Sequence, residues 1–328
     1  MLLKEIKSRK HKELARGVKG SKLLALGAPP RPVRNRKIEK TWQAILDEPS
    51  VSYDDPNEWR EAADVRPSSF PFCPRKYALP RLGVYLPNPF TVAGSWYTRV
   101  GSAVHYVTQN ALARTGRLFG HWKCARPTCR HEFSVGFYPG TCPACGTTKV
   151  EYEELTLRDD DIGLRGHADG LLVFKAHSSI LEVKTADDTK VERLAAASDA
   201  ELALTFQMTT PYYGYWHQAS SYVSLVRHLA KTDPAFAAVP YTTQVDFLIV
   251  SRNSPKNVVA LTLPVPDDDH WYTEIKQRVQ SAKAAVAEGR LPAGFASTAD
   301  ELDKLPSCTW CEYKNVCLEP DVMYPPRT

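Results

Sequence analysis

The sequence predicts an α/β fold, because helical and strand patterns alternate along the chain. Residues 98–114 carry apolar side chains at helical spacing. Two apolar runs, 171-LLVF-174 and 180-ILEVKT-185, are separated by a short turn and predict a β-hairpin. A further run, 245-VDFLIV-250, predicts a buried strand. At 328 residues the chain can hold one large α/β domain with insertions, or two modest domains.

The remaining elements follow from local composition and spacing. Residues 66–90 are rich in proline and aromatic residues, which predicts irregular or short-helical structure, and residues 201–230 are predicted to be helical. A late helix closed by Gly289 is predicted from the spacing of Trp271, Ile275, Val279, Ala282 and Val286. The helix at 98–114 is predicted from Val100, Ala103, Val104, Val107, Ala111 and Leu112.

The composition excludes several classes of protein. Hydrophobic residues make up 43% of the chain and charged residues 24%, which is ordinary for a globular protein and excludes a mainly disordered or fibrous one. The apolar run at 247–250 is far shorter than the ~20 residues that a membrane-spanning helix needs, so no membrane partner is predicted. No apolar segment typical of a secretory signal follows the basic N-terminus.

The positive charge of the chain is concentrated at its start. Residues 1–40 carry 13 Lys and Arg against 3 Glu, whereas the formal net charge of the whole chain is only +5. This segment ends in the Pro/Arg-rich stretch 28–36 and is predicted to be a basic arm and linker that precedes the main domain, residues 41–328. It can contact nucleic-acid phosphates or simply be a solvated terminus. A transit peptide is the weaker alternative, because Lys dominates and Ser is scarce.

Four of the eight cysteines form a zinc-ribbon pattern at about 121–150. The pattern consists of 124-CARPTC-129 and 142-CPAC-145, two short knuckles that are separated by twelve residues. Each knuckle turns two thiolates to one side, and four thiolates satisfy a tetrahedral Zn²⁺. Cys124, Cys129, Cys142 and Cys145 are therefore predicted to hold structural zinc; disulfides or another metal are the alternatives.

The other four cysteines are split across the chain. Cys308, Cys311 and Cys317 lie near the C-terminus, and the fourth available partner is Cys73. Four thiolates in such a split arrangement can hold an iron–sulfur cluster or a zinc ion, and spacing alone does not separate the two.

The predicted hairpin carries three residues with the chemistry of a metal site. Glu182 and Lys184 project from the same face of one strand, while Val183 points the other way, and pairing of the hairpin brings Asp169 towards them. Two carboxylates can hold Mg²⁺ or Mn²⁺, and a lysine can stabilise developing charge. Taken singly, each residue has an ordinary alternative, namely a surface ion pair for the E-V-K triplet and a turn residue for Asp169.

The order of these motifs resembles that of a nuclease superfamily. The sequence contains G-x3-H from Gly101 to His105, G-x2-D from Gly166 to Asp169, E-x-K from Glu182 to Lys184 and Q-x3-Y from Gln218 to Tyr222. This resembles the PD-(D/E)xK superfamily, in particular its RecB-like exonuclease branch. With the split cysteine set, it is most similar to the CRISPR-associated Cas-four exonucleases, their phage-encoded relatives and AddB-type nuclease domains. The resemblance covers about residues 66–320; the basic arm and the ribbon are departures from the simplest members.

The resemblance implies a fold and a set of roles. The fold would be a three-layer α/β/α core with a central mixed sheet, a zinc-ribbon insertion and a helical cap that bears the cluster. Lys184 would be catalytic, and Gln218 and Tyr222 would border the site. The metal ligands would be His105, Asp169, Glu182 and the backbone carbonyl of Val183. The four thiolates of a 4Fe-4S cluster would be Cys73, Cys308, Cys311 and Cys317.

The function implied is a Mg²⁺- or Mn²⁺-dependent DNA exonuclease. Its substrate would be single-stranded DNA or duplex ends, in phage recombination or replication, repair or CRISPR adaptation, in the cytoplasm of a bacterial, archaeal or phage-infected cell. One alternative is a non-catalytic DNA-binding or recruitment protein that uses the ribbon and the basic arm. Another, an electron-transfer or radical protein, lacks the compact multi-cysteine motif expected of it. Oligomeric state is left open.

Overall fold

The computed structural model describes residues 65–67, 73–84, 92–209, 211–267, 270–305, 308, 311 and 313–318. These residues belong to one compact unit, Leu46–Thr328. The predicted basic arm at 1–40 lies outside the described residues. None of the helices that the structure describes is both long enough and apolar enough to cross a bilayer.

The described chain is a mixed α/β structure. Its helices are α1 (Pro74–Arg81), α2 (Val92–Ala113), α3 (Asp188–Ala196), α4 (Asp199–Met208), α5 (Tyr212–Thr232), α6 (His270–Ala287) and α7 (Ala299–Lys304). Its strands are β1 (Leu118–Cys124), β2 (Gly136–Phe137), β3 (Val150–Glu153), β4 (Leu155–Asp159), β5 (Leu164–Ala168), β6 (Gly170–Val173), β7 (Ser178–Ala186), β8 (Thr242–Ser251) and β9 (Val258–Pro264). Short 3-10 turns span Pro234–Phe236 and Lys314–Val316.

A seven-stranded mixed sheet forms the centre of this unit. Six strands run in the order β2-β1-β6-β7-β8-β9, and β3 also pairs with β1. Strands β7 and β8 are parallel, and the other pairs are antiparallel. The predicted α/β class with a central mixed sheet is therefore confirmed.

The predicted hairpin is present as β6 and β7. Gly170 pairs with Leu181 and Val173 with Ser178. Alternation along β7 sends neighbouring side chains to opposite faces, so Ile180 joins the large core cluster that includes side chains of α5, whereas Val183 joins a second cluster that includes Ala113 of α2. Both faces of the central strand are thus packed, which explains why the apolar residues Ile180, Leu181 and Val183 are divided between them.

The first long helix begins earlier than predicted and buries only some of its apolar positions. It begins at Val92 rather than near residue 98. Val104 and Leu112 pack against the second core cluster, but Val107 is 65% exposed. The helical spacing is confirmed, but the apolar positions of this helix occupy more than one face, and tertiary contacts select the face that is covered.

The single helix predicted over 201–230 is two helices. Helix α4 is closed by Thr209 in an extended conformation, and Pro211 caps the start of α5. Proline lacks the N–H that a continuing helix would need and disfavours helix at the residue before it. Ser198 and Glu201 form a reciprocal capping box at the start of α4.

Strands β4 and β5 form a separate two-stranded sheet just before the hairpin. Leu155 pairs with Ala168, and Asp159 pairs with Leu164 across the turn. The Asp159 carboxylate accepts the amides of Asp161 and Ile162 and so closes this turn. Asp169 follows the end of this sheet directly, because it is the single residue between β5 and β6.

The predicted late helix is present as α6, and the first helix contacts the C-terminal segment. Ile275, Val279 and Ala282 of α6 are buried as predicted, and Gly289 has a positive φ of 68°, the conformation expected of a helix-closing glycine. Arg75, just inside α1, donates to the backbone carbonyls of Pro292 (3.1 Å) and Cys317 (2.6 Å).

Candidate active site and metal centres

Asp169 lies at the junction of the two sheets, opposite Glu182. Because Gly170 pairs with Leu181, continuing the antiparallel register by one residue aligns Asp169 with Glu182. The Asp169 carboxylate is held on both oxygens: Oδ2 accepts the Val183 amide at 2.6 Å, and Oδ1 lies 3.2 Å from Nδ1 of His105. Asp169 is therefore fixed in place by the strand and the helix on either side.

Glu182 and Lys184 form a buried ion pair. The Lys184 Nζ atom lies 2.5 Å from Glu182 Oε1 and 4.9 Å from the ring centroid of Tyr215. Glu182 is only 1% exposed, and its Oε2 has no hydrogen-bond partner within the part of the chain that the structure describes. A buried carboxylate oxygen without a partner is costly, so this position favours a further hydrogen-bond donor or a cation.

One face of α2 supplies the other wall of the site. His105 and Gln109 are four residues apart and so lie on the same side of the helix; Gln109 Nε2 donates to the Asp169 backbone carbonyl at 3.0 Å. Gly101 faces β7, where a Cβ would make an ordinary contact with Thr185 Oγ1 at 3.5 Å. The G-x3-H spacing thus combines a close helix–strand contact with the histidine one turn later.

Gln218 and Tyr222 reach the site from α5. The Gln218 side chain hydrogen-bonds Tyr222, whose phenol is 2% exposed. Gly166 lies against the same ring: a Cβ there would be 2.7 Å from Tyr222 Cε1. The aromatic residues that precede them mainly pack inward. Trp216 is 5% exposed, and Tyr212 and Tyr215 pack against the core.

An open cleft of about 530 Å³ joins these groups. Five of the predicted site residues line it, namely His105, Asp169, Lys184, Gln218 and Tyr222. Glu182 and Val183 do not line it, but each contacts a residue that does: Glu182 pairs with Lys184, and the Val183 amide donates to Asp169. The structure therefore places all seven predicted residues together, in two layers.

The electrostatics of the cleft favour a bound cation. Burial lowers the pKa of Lys184, but the charges of Glu182 and Asp169 outweigh it and raise that pKa overall. Burial, reinforced by Asp169, raises the pKa of Glu182 although Lys184 opposes the shift. Burial likewise lowers the pKa of His105, yet its hydrogen bond to Asp169 leaves it raised. The negative charge of the neighbouring carboxylates thus raises the pKa of both Lys184 and His105.

Sequence reasoning missed one residue of the site, Glu154. Its carboxylate, a carboxylate oxygen of Asp169 and a ring nitrogen of His105 all lie within 4.8 Å of one another. Burial and the charge of Asp169 raise the pKa of Glu154. No sequence motif contains Glu154, because its approach depends on the β4–β5 register, in which Leu155 pairs with Ala168 and Glu154 is aligned with Asp169.

The ribbon cysteines form a compact four-thiol group at the end of the β1–β3 hairpin. All four sulfurs lie within 4.8 Å of one another; Cys124 and Cys145 are 3.6 Å apart, and Cys129 and Cys142 are 3.8 Å apart. A tetrahedron with Zn–S bonds of about 2.3 Å has sulfur–sulfur edges of about 3.8 Å. None of the four is in a disulfide.

Tight turns shape both knuckles. Arg130 and Gly146, which follow the last cysteine of each knuckle, both have positive φ, at 47° and 68°. Gly146 donates its amide to the Cys142 carbonyl at 2.8 Å. This left-handed conformation is easy for Gly146 but uncommon for Arg130, and the backbone therefore turns sharply enough to bring both thiols of a knuckle to one side.

The split cysteine set is close enough to interact but more widely spaced. Burial raises the pKa of Cys308 to about 11, with further contributions from the charges of Cys73, Cys311 and Cys317. Among the described residues, these four are not a group whose sulfurs all lie within 4.8 Å of one another. The structure thus brings Cys73 to the C-terminal cysteines, in a looser arrangement than that of the ribbon.

Fold and site together define a mixed α/β protein with a carboxylate–lysine cleft and a four-thiol group. No family model and no curated protein matches the chain. Among solved structures it is similar to the crystal structure of SSO0001, with TM-score 0.34 and 13% identity over 85% of this chain and 97% of that one. It is also similar to LHK-Exo, an alkaline exonuclease from Laribacter hongkongensis, with TM-score 0.32 and 13% identity over 69% and 90% of the two chains. LHK-Exo in complex with dAMP gives TM-score 0.32 and 14% identity over the same shares. At these scores the similarity assigns no family.

Proposed function

We propose that this protein is a divalent-metal-dependent deoxyribonuclease of the PD-(D/E)xK type, an exonuclease acting on single-stranded DNA or duplex ends. The observation that carries the proposal is that Asp169 and Lys184 line one open cleft, while the buried Glu182 contacts Lys184 at 2.5 Å. An ordinary surface ion pair would leave its carboxylate oxygens in contact with solvent. Here Glu182 Oε2 is buried without a hydrogen-bond partner among the described residues, which is costly for an ion pair alone.

The donor set suits Mg²⁺ or Mn²⁺. Carboxylate oxygens are the preferred ligands of both ions, and imidazole is compatible with Mn²⁺. The residues that would hold the ion are His105, Asp169, Glu182 and the carbonyl of Val183. Bound there, a divalent ion would lower the pKa of a coordinated water and stabilise charge on the scissile phosphate.

The protein's own groups supply position and charge. Two carboxylates raise the pKa of Lys184, so its ammonium form is available to donate to the attacking water or to a phosphate oxygen as negative charge develops. Gln218 and Tyr222 border the cleft and would orient the nucleic acid or the lysine. Attack of water on phosphorus with breakage of the P–O3′ bond gives a 5′-phosphate and a 3′-hydroxyl.

The two cysteine groups are proposed to be structural. The 3.6 and 3.8 Å sulfur separations of the ribbon fit one Zn²⁺. A 4Fe-4S cluster is larger than a single ion and suits the wider spacing of Cys73, Cys308, Cys311 and Cys317. Hydrolysis of a phosphodiester needs no electron, so neither group is given a redox role.

Digestion of end-labelled single- and double-stranded DNA with Mg²⁺ and with Mn²⁺ tests the proposal. Wild-type protein should release labelled product only with a divalent ion, and Lys184→Ala should reduce the rate roughly 100-fold or more. Lys190→Ala is the matched control, because Lys190 is an exposed lysine of α3 outside the cleft. Full activity of Lys184→Ala, with zinc content unchanged, would show that the site is misassigned.

A non-catalytic DNA-binding protein is the second candidate. The observation that favours it is the exposed Arg126, Arg130 and Lys149 on the ribbon. DNA binding without cleavage under any metal would support it.

Deletion of residues 1–36 should flatten the salt dependence of DNA binding if the basic arm contacts phosphates.

A further inference from the structure

We infer that Glu154 is a direct ligand of a divalent cation, which it binds together with His105 and Asp169. The inference rests on the proposed function and deepens it, because it adds a ligand that none of the four sequence motifs contains. It concerns the accessible layer of the cleft, in front of the Glu182–Lys184 pair.

Geometry is the first support. One donor atom from each of the three side chains lies within 4.8 Å of the other two, which is the spacing of groups that can share one ion. The donors are one imidazole nitrogen and two carboxylate oxygens, a set that suits Mn²⁺. All three residues line the same open cleft, so a cation can enter from solvent.

The fold explains why Glu154 is brought to this position. The antiparallel register that pairs Leu155 with Ala168 aligns Glu154 with Asp169, and side chains opposite one another on neighbouring strands lie about 5 Å apart. Gln109 also contacts both, through the Asp169 carbonyl at 3.0 Å and through a hydrogen bond to the Glu154 side chain. The carboxylate is therefore held at the cleft by strand pairing and by α2.

The position of Glu182 is the second, independent support. Glu182 is 1% exposed, does not line the cleft and already lies 2.5 Å from Lys184. Its Oε2 is nevertheless without a hydrogen-bond partner among the described residues, and a cation bound near Asp169 is one group that would stabilise it. A cation that enters the cleft reaches Glu154 before it can reach Glu182.

Mn²⁺ binding to the intact, zinc-loaded protein tests the inference without relying on activity. Free Mn²⁺ is measured by electron paramagnetic resonance during titration of wild type, Glu154→Gln and Glu153→Gln. Glu153 is the matched control, since it is the neighbouring carboxylate, pairs with Lys123 and does not line the cleft. We expect Glu154→Gln to weaken Mn²⁺ binding at least ~10-fold, the smallest loss usual even for residues that only support a metal ligand. Glu153→Gln should bind as wild type does.

The outcomes separate this inference from the proposed function. Equal Mn²⁺ affinity in Glu154→Gln and wild type overturns the inference, whether or not the wild type cleaves DNA. Weakened binding in Glu154→Gln, with wild type inactive on every DNA tested, supports the cation position and overturns the nuclease. Glu154→Asp keeps the negative charge on a side chain that is one methylene shorter. Its affinity for Mn²⁺ should lie between those of wild type and Glu154→Gln.

Discussion

Gly166 lies directly against the ring of Tyr222. A Cβ on Gly166 would be 2.7 Å from Tyr222 Cε1 and 2.8 Å from Pro67 Cδ, distances that real side chains do not tolerate. The contact joins two of the motifs that are far apart in sequence, one on β5 and one on α5. It also fixes the wall of the cleft beside Asp169, so packing at this point has consequences for both stability and the site.

Gly166→Ala should therefore destabilise the protein. The new methyl group must displace a buried phenol or a proline ring, and overpacking of this kind costs about 1–3 kcal/mol. Thermal and urea unfolding measure the loss. Gly136→Ala is the matched control, because the nearest atom to its new Cβ would be a backbone oxygen at 3.9 Å. Equal stability of both variants would mean that the Tyr222 ring does not lie over Gly166.

The buried His217 should make stability depend on pH. Burial, assisted by the charge of Arg278, lowers its pKa to about 4 from an ordinary value of 6.5, and the side chain is 4% exposed on α5. Between these two values the unfolded chain binds a proton that the folded chain does not, so the free energy of unfolding falls as the pH drops from 6.5 to 4. Below about pH 4 both states are protonated and this contribution no longer changes.

Comparison with His217→Gln isolates that contribution. Urea unfolding at several pH values should show a shallower loss of stability in the variant, by up to about 3 kcal/mol between pH 7 and pH 4. Parallel curves for variant and wild type would contradict the assignment of a neutral, buried histidine.

The metals proposed for the two cysteine groups should be lost independently of each other. Cys145→Ser removes one of four closely spaced thiols, and we expect loss of zinc and a lower unfolding temperature, because structural zinc contributes directly to folding. Cys311→Ser should instead remove iron and the absorbance of the cluster while zinc remains. The zinc and iron contents of the two variants are compared, so that each variant is the control for the other. Loss of zinc in Cys311→Ser alone would mean that the zinc lies at the split cysteine set and not at the ribbon.

Much of the site could be predicted from sequence, because the interactions that build it are local. Alternation along a strand places Glu182 and Lys184 on one face whatever surrounds them, and a short turn makes the β6–β7 pairing, and with it the approach of Asp169, nearly inevitable. The knuckle spacing of the ribbon cysteines is similarly a property of a few neighbouring residues.

Tertiary structure decided what depends on contacts between distant segments. The approach of Glu154 to Asp169 follows from the register of β4 with β5, and the exposure of Val107 from which face of α2 the sheet covers. Pro211 is compatible with a break within residues 201–230, but only the structure shows that α4 ends before Thr209 and that α5 begins after Pro211. Local sequence determined which chemical groups this protein has on each element; only the packing of one element against another determined which of them share a cleft.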